Sequence, residues 1–314
     1  MTGLAATLRE WLARGDGAVL VTIAEARGST PREAGARMLV GPTGTLGTVG
    51  GGRLEWEAVE TARRMLDGGT AVETLDMPLG PALGQCCGGH VTLRLERADA
   101  GTAVFLEGME AREAERRPQV LLFGAGHVGK AIAAALAPLP LAVRWIDERA
   151  HEFPDPLLPG IERVVSANAL DHVAAAPPGS GYLILTHSHA LDFAITAAVL
   201  DRGDAAYAGL IGSATKRRRF EREYLARGRN PAGLERLTCP IGSALKGDKR
   251  PEVIAALAAA EVLINTLSRP GRGRDPLEKR EGEGASKDPC LCPHPAPAVP
   301  PSPGAGEGFD AGRR

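Results

Sequence analysis

Val120-Leu-Leu-Phe-Gly-Ala-Gly-His-Val-Gly129 decides the fold of the second half of this chain. Val120 to Phe123 is apolar without alternation, as a parallel strand buried on both faces requires. Gly124, Gly126 and Gly129 follow at once, and Lys130 to Leu136 reads as a helix. In such a strand–turn–helix unit the first glycine makes the turn and the second lets an anionic group approach the backbone. The third lets the helix pack on the strand, whose free amides then face the anion. Asp147 ends the next strand, 142–146, 23 residues after Gly124. An acidic group there commonly takes a ribose hydroxyl. Alone, this pattern points to NAD(P), but His127 inside the loop is unusual for a plain NAD site. Another phosphate-bearing cofactor therefore stays open.

Outward from this stretch, strands at 164–165, 182–186 and 207–211 alternate with helices near 190–201 and 216–226, and a last helix spans 251–267. Strand and helix in alternation predict an α/β fold, a Rossmann-like doubly wound parallel sheet over 119–267. Upstream the pattern differs. A helix at 4–13 precedes a strand at 18–23, and 36–40 and 45–49 flank a Gly41-Pro-Thr-Gly44 turn. A helix at 54–66 and strands at 71–75 and 90–95 complete an N-terminal α+β domain, residues 1–98. The Glu- and Arg-rich stretch 99–118 reads as a solvated connector with helical tendency. Residues 268–314, rich in Gly and Pro, bury too little apolar surface to fold and read as a disordered tail.

Composition excludes several classes. The 314 residues carry a net charge of −1, which gives no reason to expect nucleic acid or an anionic membrane as partner. No apolar run approaches the length of a membrane span, and the N-terminus lacks a signal-peptide pattern. Five cysteines, two of them adjacent, do not make a secreted disulfide framework, so a cytoplasmic protein is expected.

Chemistry-bearing residues gather in a few glycine-rich stretches. In Leu83-Gly-Gln-Cys-Cys-Gly-Gly89, flanking glycines leave the Cys86 and Cys87 thiols uncrowded. Such a loop suits a thiolate offered to a soft metal or a sulfur-transfer partner; two thiols alone do not make a zinc site. Gly28-Ser-Thr-Pro-Arg32 and Gly50-Gly-Gly-Arg-Leu-Glu55 join glycine to hydroxyl and guanidinium groups, as phosphate or pterin-edge recognition needs, though tight turns with surface arginines would look the same. Thr186-His-Ser-His-Ala-Leu-Asp192 follows a buried strand at its carboxyl end, the ligand side of open α/β sheets. His187, His189 and Asp192 there suit metal binding or acid–base work. Ser213 closes Gly209-Leu-Ile-Gly-Ser213, and the four cations Lys216 to Arg219 open the next helix against its dipole, a mismatch an anionic ligand would repair. Cys239-Pro-Ile-Gly242 is another turn before the final helix. Cys290, Cys292 and His294 lie in the proline-rich tail and carry little weight.

Seven of these stretches, in this order, resemble the motifs of the xanthine dehydrogenase accessory protein family (XdhC/CoxI). They are Arg27-Gly-Ser-Thr-Pro-Arg-Glu33, Gly50-Gly-Gly-Arg-Leu-Glu55, Gly84-Gln-Cys-Cys-Gly-Gly89, Phe123-Gly-Ala-Gly-His-Val-Gly129, Thr186-His-Ser-His-Ala-Leu-Asp192, Gly209-Leu-Ile-Gly-Ser213 and Cys239-Pro-Ile-Gly242. The likeness covers residues 4–267 and implies an accessory chaperone, not an enzyme. It implies that the molybdopterin form of molybdenum cofactor is held during sulfuration by a cysteine desulfurase and delivered to the large subunit of xanthine dehydrogenase. By resemblance the thiol that matters is Cys86 or Cys87, with Gln85 beside them. Gly124, Gly126, His127, Gly129, Asp147, His187, His189 and Ser213 complete the expected cofactor site. A homo-oligomer, a dimer, is expected. The alternative is an NAD(P)-dependent oxidoreductase, resting on the glycine loop and Asp147.

Overall fold

A computed structural model describes residues 3–79, 88–243 and 248–267. Gln85, Cys86 and Cys87 therefore lie outside the described residues, as do Cys290, Cys292 and His294 and the whole segment expected to be a disordered tail.

The first half opens with α1 (Leu4–Ala13), β1 (Ala18–Arg27), β2 (Arg37–Val40), β3 (Thr45–Gly47) and α2 (Gly52–Gly68). It continues with β4 (Val72–Pro78), β5 (His90–Ala98) and α3 (Ala100–Glu115). Its strands form one antiparallel sheet in the order β3-β2-β1-β5-β4. β1 is apolar on both faces because both faces are covered. Val19, Val21 and Ile23 meet Leu54, Ala58, Ala62 and Met65 of α2. Ala18 and Leu20 join the opposite cluster with Ala5 and Leu8 of α1 and Ala103 and Leu106 of α3.

The charged 99–118 stretch is thus more than a solvated link. Asp99 and Thr102 form a capping box, the Asp99 carboxylate accepting from the Thr102 N–H at 2.8 Å and the Thr102 hydroxyl from the Asp99 N–H at 3.2 Å. That box satisfies two amides at the start of α3. Glu110 then accepts from the Ala5 N–H at 3.2 Å and Glu107 pairs with Arg9, so the polar side of α3 fastens α1.

The second half follows with β6 (Gln119–Phe123), α4 (His127–Leu136), β7 (Ala142–Asp147), β8 (Ile161–Val165), α5 (Ala169–Ala175), β9 (Gly181–Ile184) and α6 (His189–Arg202). β10 (Tyr207–Leu210), α7 (Ala214–Ala226), β11 (Leu237–Thr238) and α8 (Pro251–Leu267) complete it. Every pairing in this sheet is parallel, and the order is β11-β10-β9-β6-β7-β8. Read outward from β6, the chain runs to β7 and β8 on one side, then returns to β9, β10 and β11 on the other. That is the doubly wound Rossmann order, as the alternation predicts, and it opens a crevice where the direction reverses. Strand parity explains the two cores. Val120, Leu122, Val143 and Trp145 face α4 and α8, whereas Leu121, Phe123, Ile146 and Tyr182 face α5, α6 and α7. Among the described residues no helix is long and apolar enough to cross a membrane.

Candidate functional site

The crevice lies at the carboxyl ends of β6, β7 and β9. Gly124 has φ +113°, and a β-carbon on it would stand 2.2 Å from the Leu185 carbonyl oxygen. A β-carbon on Gly129 would stand 2.1 Å from the Gly124 carbonyl oxygen, which fixes how closely α4 sits on the loop. Around Gly126, by contrast, a β-carbon would meet nothing within 4 Å among the described residues. The three glycines thus divide as the motif predicts: two for close packing and one for an open approach to the backbone. Gly126 caps α4 without a side chain, so the amides of its first turn face outward, and exposed His127 is the first helical residue.

Asp147 is placed where the spacing predicts, but its carboxylate is already engaged. Oδ2 accepts from the Ala125 N–H at 2.7 Å and from the Arg149 guanidinium at 2.8 Å. Oδ1 accepts from the Arg149 main-chain N–H and from its Nε–H, both at 2.9 Å. Burial pushes this carboxyl up, yet the Arg149 and Ala125 donors outweigh burial and hold it below its ordinary 3.8. Arg149 continues to Glu152 at 3.2 Å, and Glu152 to Lys130 of α4 at 3.2 Å. The glycine loop and its helix are therefore tied to the turn after β7. Across the mouth, His187 Nε2 stands 3.4 Å from Glu148 Oε1.

The next rim of the sheet is built around Asp192. Its Oδ1 accepts from both the N–H and the hydroxyl of Thr186 at 2.8 Å, and its Oδ2 takes the Lys216 ammonium at 2.6 Å. This pair joins the Thr186–Asp192 segment to α7, so both Asp192 oxygens are engaged within the protein. Among the described residues no group of three or more His, Cys, Asp or Glu can hold a metal. Ser188 and Ser213 cap α6 and α7, accepting from the Leu191 and Lys216 amides. His189 and Ser213 share a shallow groove with Phe193, Lys216 and Arg219, beside the crevice rather than in it.

Three of the four cations at the start of α7 already have partners within the protein. Lys216 goes to Asp192, Arg217 to Glu221 and the Leu237 carbonyl, and Arg219 to Glu223. The Cys239-Pro-Ile-Gly242 turn is also internal. The Gly242 N–H donates to Glu261 of α8 at 3.1 Å, and burial pushes the Cys239 thiol up to about 11, well above the thiolate range.

In the first half, the motifs flanking the two cysteines come together. Gly28, φ +70°, packs so closely on Gly89 that a β-carbon would stand 3.3 Å from the Gly89 α-carbon. A β-carbon on Gly89 would in turn stand 2.1 Å from the Ser29 carbonyl oxygen, and one on Gly50 would stand 2.4 Å from Pro31. Glu55 accepts the Val49 and Gly51 amides at 3.2 Å, holding the glycine turn at the head of α2. The sequence missed the partners more than the sites: Arg149 and Glu148 were not singled out, and Lys216 was singled out as a cation without its partner Asp192. Arg149 lay two residues beyond Asp147, a spacing that was a usable signal.

The chain is similar to known proteins in sequence and in fold. Residues 120–262 match the family model described as the XdhC Rossmann domain, and residues 11–76 match that of the XdhC and CoxI family. The uncharacterized protein YqeB of Escherichia coli is 29% identical over 267 residues, 80% of this chain. The chain spans less than half of that relative, 44% of its length. The crystal structure of a Bacillus halodurans protein described as a xanthine dehydrogenase superimposes with a TM-score of 0.68 at 18% identity, covering 86% of this chain and 97% of the other. An N-terminal antiparallel unit with clustered glycine motifs, joined to a parallel sheet opened by Gly124–Gly129, is what these matches span, and the chain belongs to the XdhC and CoxI family.

Proposed function

We propose that this chain is an accessory protein of xanthine dehydrogenase maturation that holds molybdenum cofactor, in its molybdopterin form, during sulfuration. A cysteine desulfurase and the large subunit of the dehydrogenase are its partners, and the chain itself carries out no turnover. The observation that carries this reading is the convergence of three glycine motifs. Gly28–Ser29 lies against Gly88–Gly89, which directly follow Cys86 and Cys87 in sequence, and Pro31 lies against Gly50. Family membership supports the same reading.

The residues present fit such a ligand. Among the described residues nothing stands within 4 Å of where a β-carbon on Gly88 would be, so the backbone there admits a ligand closely. Arg32 lines an open depression with Pro31 and Glu33, which offers a cation to a phosphate. Molybdenum with dithiolene and sulfido ligands is a soft centre, the match for a thiolate. The chain's own task is to bind through Cys86 or Cys87, orient through the glycine cradle, and release by ligand exchange.

The full chain purified from molybdopterin-producing cells should yield pterin fluorescence after oxidation. Replacing both Cys86 and Cys87 with Ala should reduce that pterin at least about tenfold while the circular dichroism spectrum is kept, a factor equal to about 1.4 kcal/mol of binding. Pterin-free wild-type protein overturns the reading, and undiminished pterin in the double variant removes the thiolate role. An NAD(P)-dependent oxidoreductase is the second reading; the strand order and glycine turn favour it, and Asp147 opposes it.

A further inference from the structure

We propose that Arg149 is a built-in occupant of the crevice, closing the Rossmann-like half of this chain to NAD-type dinucleotides. A carboxylate offers about four acceptor positions. At Asp147 all four are filled: two by the Arg149 guanidinium fork, one by the Arg149 main-chain N–H and one by the Ala125 N–H. A ribose hydroxyl that must donate to this carboxylate finds no acceptor left. It would have to displace a charge-assisted fork, which is stronger than the neutral bond it offers in return.

Displacement is opposed from a second side. The Asp147 side chain is 3% exposed and that of Arg149 is 28% exposed, so a released pair would leave a buried carboxylate without its cation. Arg149 is pinned again by Glu152, which Lys130 of α4 also holds. The cleft itself is narrow. Between Gly124, Asp147, Ser166 and His187 the room for the centre of a water is about 20 Å³, within an open space of about 300 Å³. Glu148 and His187 face each other across it. The acid that would read a dinucleotide in a nucleotide-binding protein here fastens the glycine loop to the protein's own arginine, and the dinucleotide loses its ribose contact.

Titration of the full chain with NADH and with NADPH, read by nicotinamide fluorescence and by calorimetry, tests this. Wild-type protein should show no saturation below about 1 mM, and Arg149→Gln, which keeps the main-chain donor and much of the stem, should bind NADH at least tenfold more tightly. Saturable wild-type binding of either dinucleotide in the micromolar range overturns the proposal whatever the variants do. So does a folded Arg149→Gln or Arg149→Ala protein with no gain. Pterin retention is read separately: its loss in wild-type protein defeats the chaperone reading without touching this one, and dinucleotide binding defeats this one without touching the chaperone reading.

Discussion

Two buried aspartates stand on the carboxyl rim of the same parallel sheet, and they are neutralised in different ways. Asp147 ends β7 and takes a fork and a main-chain N–H from Arg149, two residues away, while its remaining acceptor holds the Ala125 amide. Asp192 sits one turn into α6 and takes a single contact from Lys216, 24 residues away, while its other oxygen holds the Thr186 amide and hydroxyl. Each therefore fixes one loop at the crevice. The fork of the first clamp is local in sequence and planar. The second is a point contact between distant segments and exists only once β9 and β10 are paired. One acid secures the place where a nucleotide would lie, and the other secures the neighbouring helix.

The largest expected difference lies in removing each acid. Asp192→Ala leaves the Lys216 ammonium, 12% exposed, without its partner, and leaves the Thr186 amide unsatisfied. A cost of about 3–5 kcal/mol is expected from a broken buried pair. Asp147→Ala leaves Arg149 with Glu152 at 3.2 Å and with more solvent, so about 1–3 kcal/mol is expected. Urea unfolding of the two variants, compared at equal slope, checks the order. Equal losses, or the reverse order, would show that the local fork carries more than the long-range contact.

This contrast also marks what the sequence could reveal. The glycine loop, Asp147 and the alternation of strands and helices were legible because each rests on local spacing: a tight turn, a strand end and a period. The capping box at Asp99 and Thr102 was equally local, but the charge of 107–117 drew attention away from the apolar pair Ala103 and Leu106 that packs the helix. The tasks of Asp192 and of the cations after Ser213 were not legible. Their partners are set by which strands pair, and a sequence read segment by segment makes Asp192 a ligand candidate and Lys216 an unmatched charge. Likewise, the meeting of Gly28 with Gly89 depends on β1 pairing with β5, which no motif announces.

A smaller effect tests how Lys216 reaches its acid. A β-carbon on Gly212 would stand 2.7 Å from Lys216 Cδ and 3.1 Å from its Cβ, so the lysine stem runs over this glycine. Gly212→Ala should cost about 1–2 kcal/mol by displacing the stem. In a Lys216→Ala background the same change should cost little, giving a coupling of about 1 kcal/mol in a double-mutant cycle. Additive losses would mean that Gly212 serves the loop and not the lysine, and the long-range clamp would then lose one of its supports.

The smallest effect is the acid limb of the stability curve. Burial raises the Asp147 carboxyl, the Arg149 and Ala125 donors lower it further, and the net position is below 3.8. A carboxyl whose folded value is depressed contributes stability that is fully present above its unfolded value near 3.8 and is lost as pH falls through the lower folded value. Between about pH 5 and pH 2.5, wild-type protein should therefore lose stability more steeply than Asp147→Asn, which has no proton to gain at that position. Parallel curves for wild type and Asp147→Asn would mean that the fork gains nothing from the charge on Asp147. The comparison between the two rims would then reduce to hydrogen-bond geometry alone.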